Sequence, residues 1–207
     1  MAGAQGEHAR VGVMEELISK WDVRYNQAGT ETSTPAQVLS ENAFLLPKTG
    51  TALDLACGLG GNAVFLAQQQ LAVTALDISP VAIHKLSTYA ARQGLNISAH
   101  QQKIDSQSLN GQHYDVIVAS RFLDRTLTDA IINALKPGGL LFYQTFTRER
   151  TIRKGPCNPD YLLAENELRD LFSPLRLIFY RDNALIGNLQ YGLRGEAQFI
   201  GQKRTQD

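Results

Sequence analysis

Apolar positions along this chain change their spacing in a regular way. Met14, Leu17, Ile18 and Trp21 recur at three- and four-residue steps and predict a helix over residues 13–25, and Thr34-Pro35 opens a second helix predicted to end near Pro47. Short apolar runs then alternate with helical patterns. Strands are predicted over 52–56, 72–77, 97–102 and 114–120, with helices over 62–70 and 80–93 between the first three and a polar loop before the fourth. A helix over 127–135 follows, and Pro137-Gly138-Gly139 turns into a strand over 140–146. This alternation predicts a parallel sheet covered on both faces. The tail breaks the rhythm, with a polar loop over 147–160, a helix over 161–172 and strands over 175–180 and 195–201. From chain order, the last two form a hairpin added to the sheet edge.

Bulk properties narrow the picture. A length of 207 residues suits one domain with a large core, so residues 1–12 are read as a loose leader and 13–207 as a single domain whose residues 13–47 form an N-terminal helical cap. Lysine plus arginine equal aspartate plus glutamate at 20 each, which supplies no general field for nucleic acid or an anionic membrane. No apolar run approaches membrane-spanning length. Cys57 and Cys157 lie far apart without a metal-ligand pattern, so no metal site and no disulfide framework is expected, and a reducing, cytoplasmic setting fits.

The chemistry concentrates where the first predicted strand meets the first helix after it. In Ala52-Leu53-Asp54-Leu55-Ala56-Cys57-Gly58-Leu59-Gly60-Gly61-Asn62 an acid near the strand end runs into a glycine turn and then a helix. Gly58 and Gly60 allow tight turning and close approach of a ligand, and the helix beginning at Asn62 points its first amides there. Asp77 ends the second strand at the distance where an acid accepts both hydroxyls of an adenosine ribose, with Ile78 beside it. Both NAD and S-adenosylmethionine carry that ribose, and Gly58-x-Gly60-x-x-Ala63 passes as a dinucleotide fingerprint. Asp54 discriminates. It would repel an anionic pyrophosphate and meet the ammonium of an aminoacyl nucleotide, so S-adenosylmethionine is the expected cofactor.

With these residues in view, the chain resembles a class I S-adenosylmethionine-dependent methyltransferase, and within that class the small bacterial group related to the tellurite-resistance methyltransferases. The resemblance covers nearly the whole chain. The acid-x-Gly-x-Gly-x-Gly motif is matched from Asp54 with Ala56 in the first glycine place, followed by Gly58 and Gly60; Asp77 stands for the ribose acid and Asp105 for the acid near the adenine. Tyr114-Asp115-Val116-Ile117 and Leu135-Lys136-Pro137-Gly138-Gly139 match later motifs. Trp21-Asp22-x-Arg24-Tyr25 is similar to the segment that closes over the cofactor in such relatives, which implies that Trp21, Arg24 and Tyr25 lie against the methionine end; Trp21 can equally be core. The resemblance implies an α/β, Rossmann-like class I methyltransferase fold: a seven-stranded, mostly parallel sheet, its last strand antiparallel, helices on both faces.

Methyl transfer from a sulfonium asks the protein mainly for alignment and exclusion of water. The expected acceptor is a small molecule, a thiol or chalcogen oxyanion among the candidates, and nucleic acid is not an expected partner. Ser120 ends the fourth strand on the cofactor side, and Arg121 and Asp124 just beyond it are the expected catalytic groups, against the alternative of an ordinary helix start. Gln144, Thr145 and Thr147 could line the same pocket. Arg148, Arg150, Arg153 and Lys154 could form an anion-attracting lid or a solvated connection, and Tyr191 and Arg194 could reach in from the edge. Rival functions are a methyltransferase acting on RNA or protein, a non-catalytic cofactor sensor, and an NAD-dependent oxidoreductase, the last disfavoured by Asp54.

Overall fold

Strand β1 (Gly50–Leu55) stands at the centre of the sheet, paired in parallel with β2 (Leu71–Asp77) on one side and β4 (Tyr114–Ser120) on the other. This computed structural model describes residues 3–28, 34–151 and 155–205. Strand β3 (Ile97–Gln101) pairs with β2, and β5 (Leu135–Phe146) with β4, again in parallel. Strand β7 (Glu196–Gln202) enters between β5 and β6 (Arg176–Arg181) and runs antiparallel to both, so the order is β3-β2-β1-β4-β5-β7-β6. The chain order reverses between β1 and β4. A crevice therefore opens beyond the carboxyl ends of those two strands.

Alternation along each strand sorts the core into two layers. Ala52, Val116, Val118, Phe142 and Ile200 pack on one face with Val38, Leu39, Ala63, Leu66 and Leu86. Leu53, Leu55, Ile117, Leu141, Tyr143 and Phe199 pack on the other with Ile131, Leu168 and Phe172. The first layer lies under α2 (Gln37–Ser40), α3 (Gly61–Gln68) and α4 (Pro80–Gln93), the second under α5 (Thr128–Ala134) and α6 (Glu167–Leu171).

Helix α1 (Gly3–Asn26) starts ten residues ahead of the predicted helix, so the described part of the segment read as a leader is helical. Its end is fastened to α4: Lys85 Nζ donates to the carbonyls of Tyr25 at 2.6 Å and Ala28 at 2.7 Å, placing a cation at a helix C-terminus. The long second helix expected up to Pro47 is instead two short pieces, α2 and a 3-10 turn at Ala43–Leu45. Asn42 divides them, its Nδ2 turning back to donate to Val38 O at 2.9 Å. The helix expected over 161–172 is likewise reduced to α6. Leu162 and Leu163 are extended because Leu163 N donates to Phe146 O and Arg148 N to Leu163 O, which ties this segment to the end of β5. Pro137-Gly138-Gly139 lies inside β5 at a register shift opposite Tyr114 and Val116, where a turn was expected.

Candidate functional site

The glycine turn after β1 is built by its neighbours. Cys57 N donates to Leu76 O and Gly60 N to Cys57 O, and Gly58 and Gly60 take the left-handed φ values of 52° and 80°. Ala56 takes φ 53° as well, so the residue in the first glycine place keeps a glycine's backbone and carries its steric cost. Gly60 caps α3 and has no room for a side chain, since a Cβ there would lie 2.3 Å from Leu86 Cδ1. A Cβ on Gly58 would lie 3.0 Å from the Tyr25 hydroxyl.

Asp77, the acid expected to meet a ribose, lies beside the glycine turn. Oδ2 accepts from Gly58 N at 2.8 Å and Oδ1 from Ser79 N at 2.9 Å, which fixes the carboxylate beside the glycine turn. Each oxygen retains a lone pair for a further donor. Burial pushes the Asp77 pKa up, against the lowering effect of those amides. Ser79 caps α4 by accepting from Ala82 N at 3.1 Å and donates its hydroxyl to Asp22 on α1.

Asp54 corrects the sequence reading. It is wholly buried, with Oδ2 accepting from Ala63 N at 3.0 Å and Oδ1 from Asn62 Nδ2 at 3.2 Å. Rather than facing an ammonium at the mouth, the carboxylate sits beneath the turn and holds the N-terminus of α3, because the loop folds back over the strand end. Its pKa is raised to about 7, chiefly by burial and to a lesser degree by Asp77, while the Asn62 and Ala63 hydrogen bonds oppose the rise. Asn62 is fully used: its other contacts are Ser120 Oγ at 3.0 Å and Ala36 N, which donates to Oδ1 at 2.8 Å.

Helix α1 brings the cap residues to this turn. Trp21 stacks on Tyr25 with ring centroids 5.5 Å apart, and the Arg24 guanidinium lies 5.4 Å above the Trp21 ring. The Tyr25 hydroxyl pKa is raised, first by burial and then by the Asp77 carboxylate. Trp21 is half-buried in this stack and does not belong to either core layer. Ile78 follows Asp77 and is half-buried, and Asp105 closes a local turn, its Oδ1 accepting from Gln107 N at 3.1 Å and Ser108 N at 2.9 Å.

Beyond β4 the expected catalytic pair separates. Arg121 takes φ 53°, donates its N–H to Gln144 O at 2.8 Å and leaves its side chain 61% exposed, 3.5 Å from Glu196. Asp124 is a helix cap instead, accepting from Thr126 N at 2.9 Å and Thr126 Oγ1 at 2.6 Å. Arg125, which the sequence did not single out, clamps the following segment through Glu167 and the carbonyl of Leu162. Arg153 and Lys154 lie outside the described residues. Arg194 does not reach the site: its guanidinium donates to the carbonyls of Asn183, Ala184, Asn188 and Tyr191 and staples the β6–β7 loop, while Tyr191 is exposed. Glu196 and Gln198 were missed. Their signal was two polar residues at alternate positions of an apolar strand, far along the chain from the cradle, in a fold that seats them beside Gln144 of β5.

Comparison with known proteins agrees with this geometry. The family model described as "Methyltransferase domain" matches residues 52–139. The chain is 32% identical over 139 residues to hemagglutinin 1 of Eikenella corrodens, covering 63% of this chain and 45% of that protein. It is 31% identical over 101 residues to the ubiquinone biosynthesis O-methyltransferase of Coxiella burnetii, covering 46% and 43%. The crystal structure of TehB from Haemophilus influenzae superposes with a TM-score of 0.66 at 23% identity, over 84% of this chain and 63% of that one. The chain thus spans less than half the length of the curated relatives it matches. Among the described residues no helix is long and apolar enough to cross a membrane, and no group of histidine, cysteine, aspartate and glutamate could hold a metal ion. With its glycine turn, its strand-end acid Asp77 and its β3-β2-β1-β4-β5-β7-β6 sheet, the chain carries a match to the methyltransferase domain over residues 52–139 and shares the fold of TehB from Haemophilus influenzae.

Proposed function

We propose that this chain transfers a methyl group from S-adenosylmethionine to a small-molecule acceptor, a thiol or chalcogen oxyanion foremost, by in-line displacement in the cytoplasm. The observation that carries the reading is Asp77, pinned to the Gly58 amide at 2.8 Å beside a turn too close for side chains. That carboxylate and those glycines fit an adenosine ribose. Bound there, the cofactor supplies an electrophilic methyl group on a sulfonium.

The protein's own part is placement. Asp77 accepts the ribose hydroxyls; Ile78 and Asp105 border the adenine. Trp21, Arg24 and Tyr25 cover the glycine turn and exclude water from it. Asp54 acts from below, by fixing Ala56, Gly58, Gly60 and Asn62, and Asn62 in turn orients Ser120. Arg121, exposed at the end of β4, is the cation that orients the acceptor. A small acceptor is supported by the neutral charge balance and by the similarity to an O-methyltransferase of ubiquinone biosynthesis.

Calorimetry tests the cofactor half. Asp77→Ala removes a charge-assisted pair of contacts, each worth about 1.5–3 kcal/mol, and should weaken S-adenosylmethionine binding at least tenfold; unchanged affinity would refute the site. Arg121→Ala should keep cofactor affinity and lower turnover with small thiols. If that variant lost cofactor binding instead, Arg121 would belong to the wrong half of the site.

A further inference from the structure

Under the segment that leads into α2, polar side chains from β5 and β7 form one connected row. Gln144 and Gln198 are direct cross-strand partners, both buried. Val38 N donates to Gln144 Oε1 at 2.9 Å, and Gln198 Nε2 donates to the same oxygen at 3.1 Å. On the other side Gln144 Nε2 donates to one Glu196 oxygen, while Arg121 Nε lies 3.5 Å from the other.

The direction of each amide is forced. A main-chain N–H can only donate, so Gln144 turns its oxygen to Val38; a carboxylate accepts, so Gln144 turns its NH2 to Glu196; Gln198 must then offer its own NH2 to Gln144. Gln198 Oε1 is left buried without a donor, the one such side-chain atom among the described residues. A buried acceptor left in this state costs about 1–3 kcal/mol. The row therefore presents hydrogen-bond acceptors, the Glu196 carboxylate and the Gln198 oxygen, and asks for a donor.

The row lies toward the carboxyl ends of β4 and β5, the end of the sheet where the crevice opens. Ser120 stands opposite Gln144 in the β4–β5 register, and Asp54 opposite Val118 in the β1–β4 register, so Asp54, Ser120, Gln144, Gln198 and Glu196 share one sheet face near the strand ends. Arg121 after β4 is the cation seen at Glu196; Arg150 lies beside Gly195, and Arg181 on β6 stands opposite Gln198 of β7 and lies 3.7 Å from Glu41.

Resting on the methyltransferase reading above, we propose that Glu196 takes the proton from the methyl acceptor, which therefore enters the site as a protonated thiol or hydroxyl. A lone pair on the acceptor's sulfur or oxygen forms the new bond to the methyl carbon as the carbon–sulfonium bond breaks, its electron pair staying on the cofactor sulfur. The acceptor proton passes to the Glu196 carboxylate and from there to water. Gln144 is a positioning residue for that carboxylate, and Arg121, 3.5 Å from it, keeps the acceptor it orients beside the base.

The test compares the wild-type chain, Glu196→Gln and Glu196→Asp with mercaptoethanol, thiophenol and catechol as probe acceptors, following S-adenosylhomocysteine formation against pH alongside calorimetric cofactor affinity. Glu196→Gln can still accept from Gln144, so cofactor affinity should hold within threefold while turnover at neutral pH falls at least 100-fold, within the range of a lost general base. The deficit should shrink above each probe's own pKa, and Glu196→Asp should recover part of the rate. An unchanged pH–rate profile in Glu196→Gln overturns the proposal, as does a deficit equal at all pH values. A wild-type chain that binds the cofactor but methylates none of the probes overturns the small-acceptor reading first and the proposal with it.

Discussion

Gly60→Ala should destabilise the chain by about 2–5 kcal/mol and abolish detectable cofactor binding at micromolar concentrations. Two costs add. The backbone at Gly60 has φ 80°, where an L-residue is disfavoured by about 1–2 kcal/mol. A Cβ would also sit 2.3 Å from Leu86 Cδ1, and Leu86 is fully buried on α4 in the core layer that holds Ala63 and Leu66, so relief means overpacking of about 1–3 kcal/mol. Because Gly60 caps α3, any shift moves the Asn62 and Ala63 donors off Asp54. Urea denaturation measures the loss of stability. A midpoint within error of the wild type would show that the turn tolerates a side chain, against the close packing described here. Gly94, also left-handed at φ 64° but with open space around its Cβ position, is the control: Gly94→Ala carries the backbone cost without the clash.

The chain without ligand should lose stability as the pH rises from about 4 to 7. Asp54 has a folded-state pKa of about 7 against 3.8 in the ordinary carboxyl, so between those values the folded state holds a proton that the unfolded state has lost. Its contribution is fully present below pH 4 and is spent as the pH passes through 7. At 1.36 kcal/mol per unit, the difference amounts to about 4 kcal/mol. Asp77, also raised by burial, acts in the same direction. Asp115 and Glu167, whose pKa values are lowered by Lys136 and Arg125, lose their contribution only as the pH falls below the ordinary carboxyl range, so they do not mask the slope. Urea midpoints at pH 5, 6, 7 and 8 should fall and then level off, and Asp54→Asn should flatten the curve. A wild-type midpoint that rises from pH 5 to 7 would contradict the buried, burial-shifted carboxyl. The same carboxyl has its oxygens committed to the N-terminus of α3, so Asp54 fixes the geometry of the glycine turn.

Local chemistry made much of this architecture legible. Pro80–Gln93 and Tyr114–Ser120 have the bounds that their patterns predict, because Ser79 and Gly94 cap the helix and the apolar run from Val116 to Ala119 fills the strand. Asp77 beside the glycines was equally readable, since a strand-end acid and a backbone too tight for side chains are both properties of short segments. The misreadings share one feature: competing partners, near or far, that a local pattern does not display. Residues 161–172 are compatible with helix, but the free edge of Phe146 and the Arg125 clamp draw Leu162 and Leu163 into extended conformation. Asp54 reads as a strand-end charge, yet folding of the next turn over it removes it from water. Asp124 and Arg194 carry charges suited to a pocket, but backbone groups of their own loops claim them.

By itself the sequence determined the parallel sheet, the glycine turn and the acid at the end of the second strand, all of which follow from periodicity and spacing within a few tens of residues. Tertiary structure alone decided which face each acid takes and which amides it meets. It also brought Glu196 and Gln198 beside Gln144, because insertion of β7 next to β5 is a pairing between segments whose local patterns carry no record of each other. Hydrogen-bond direction in the Gln144 row completes the division: it is set by the Val38 amide and the Glu196 carboxylate, which only the folded chain assembles.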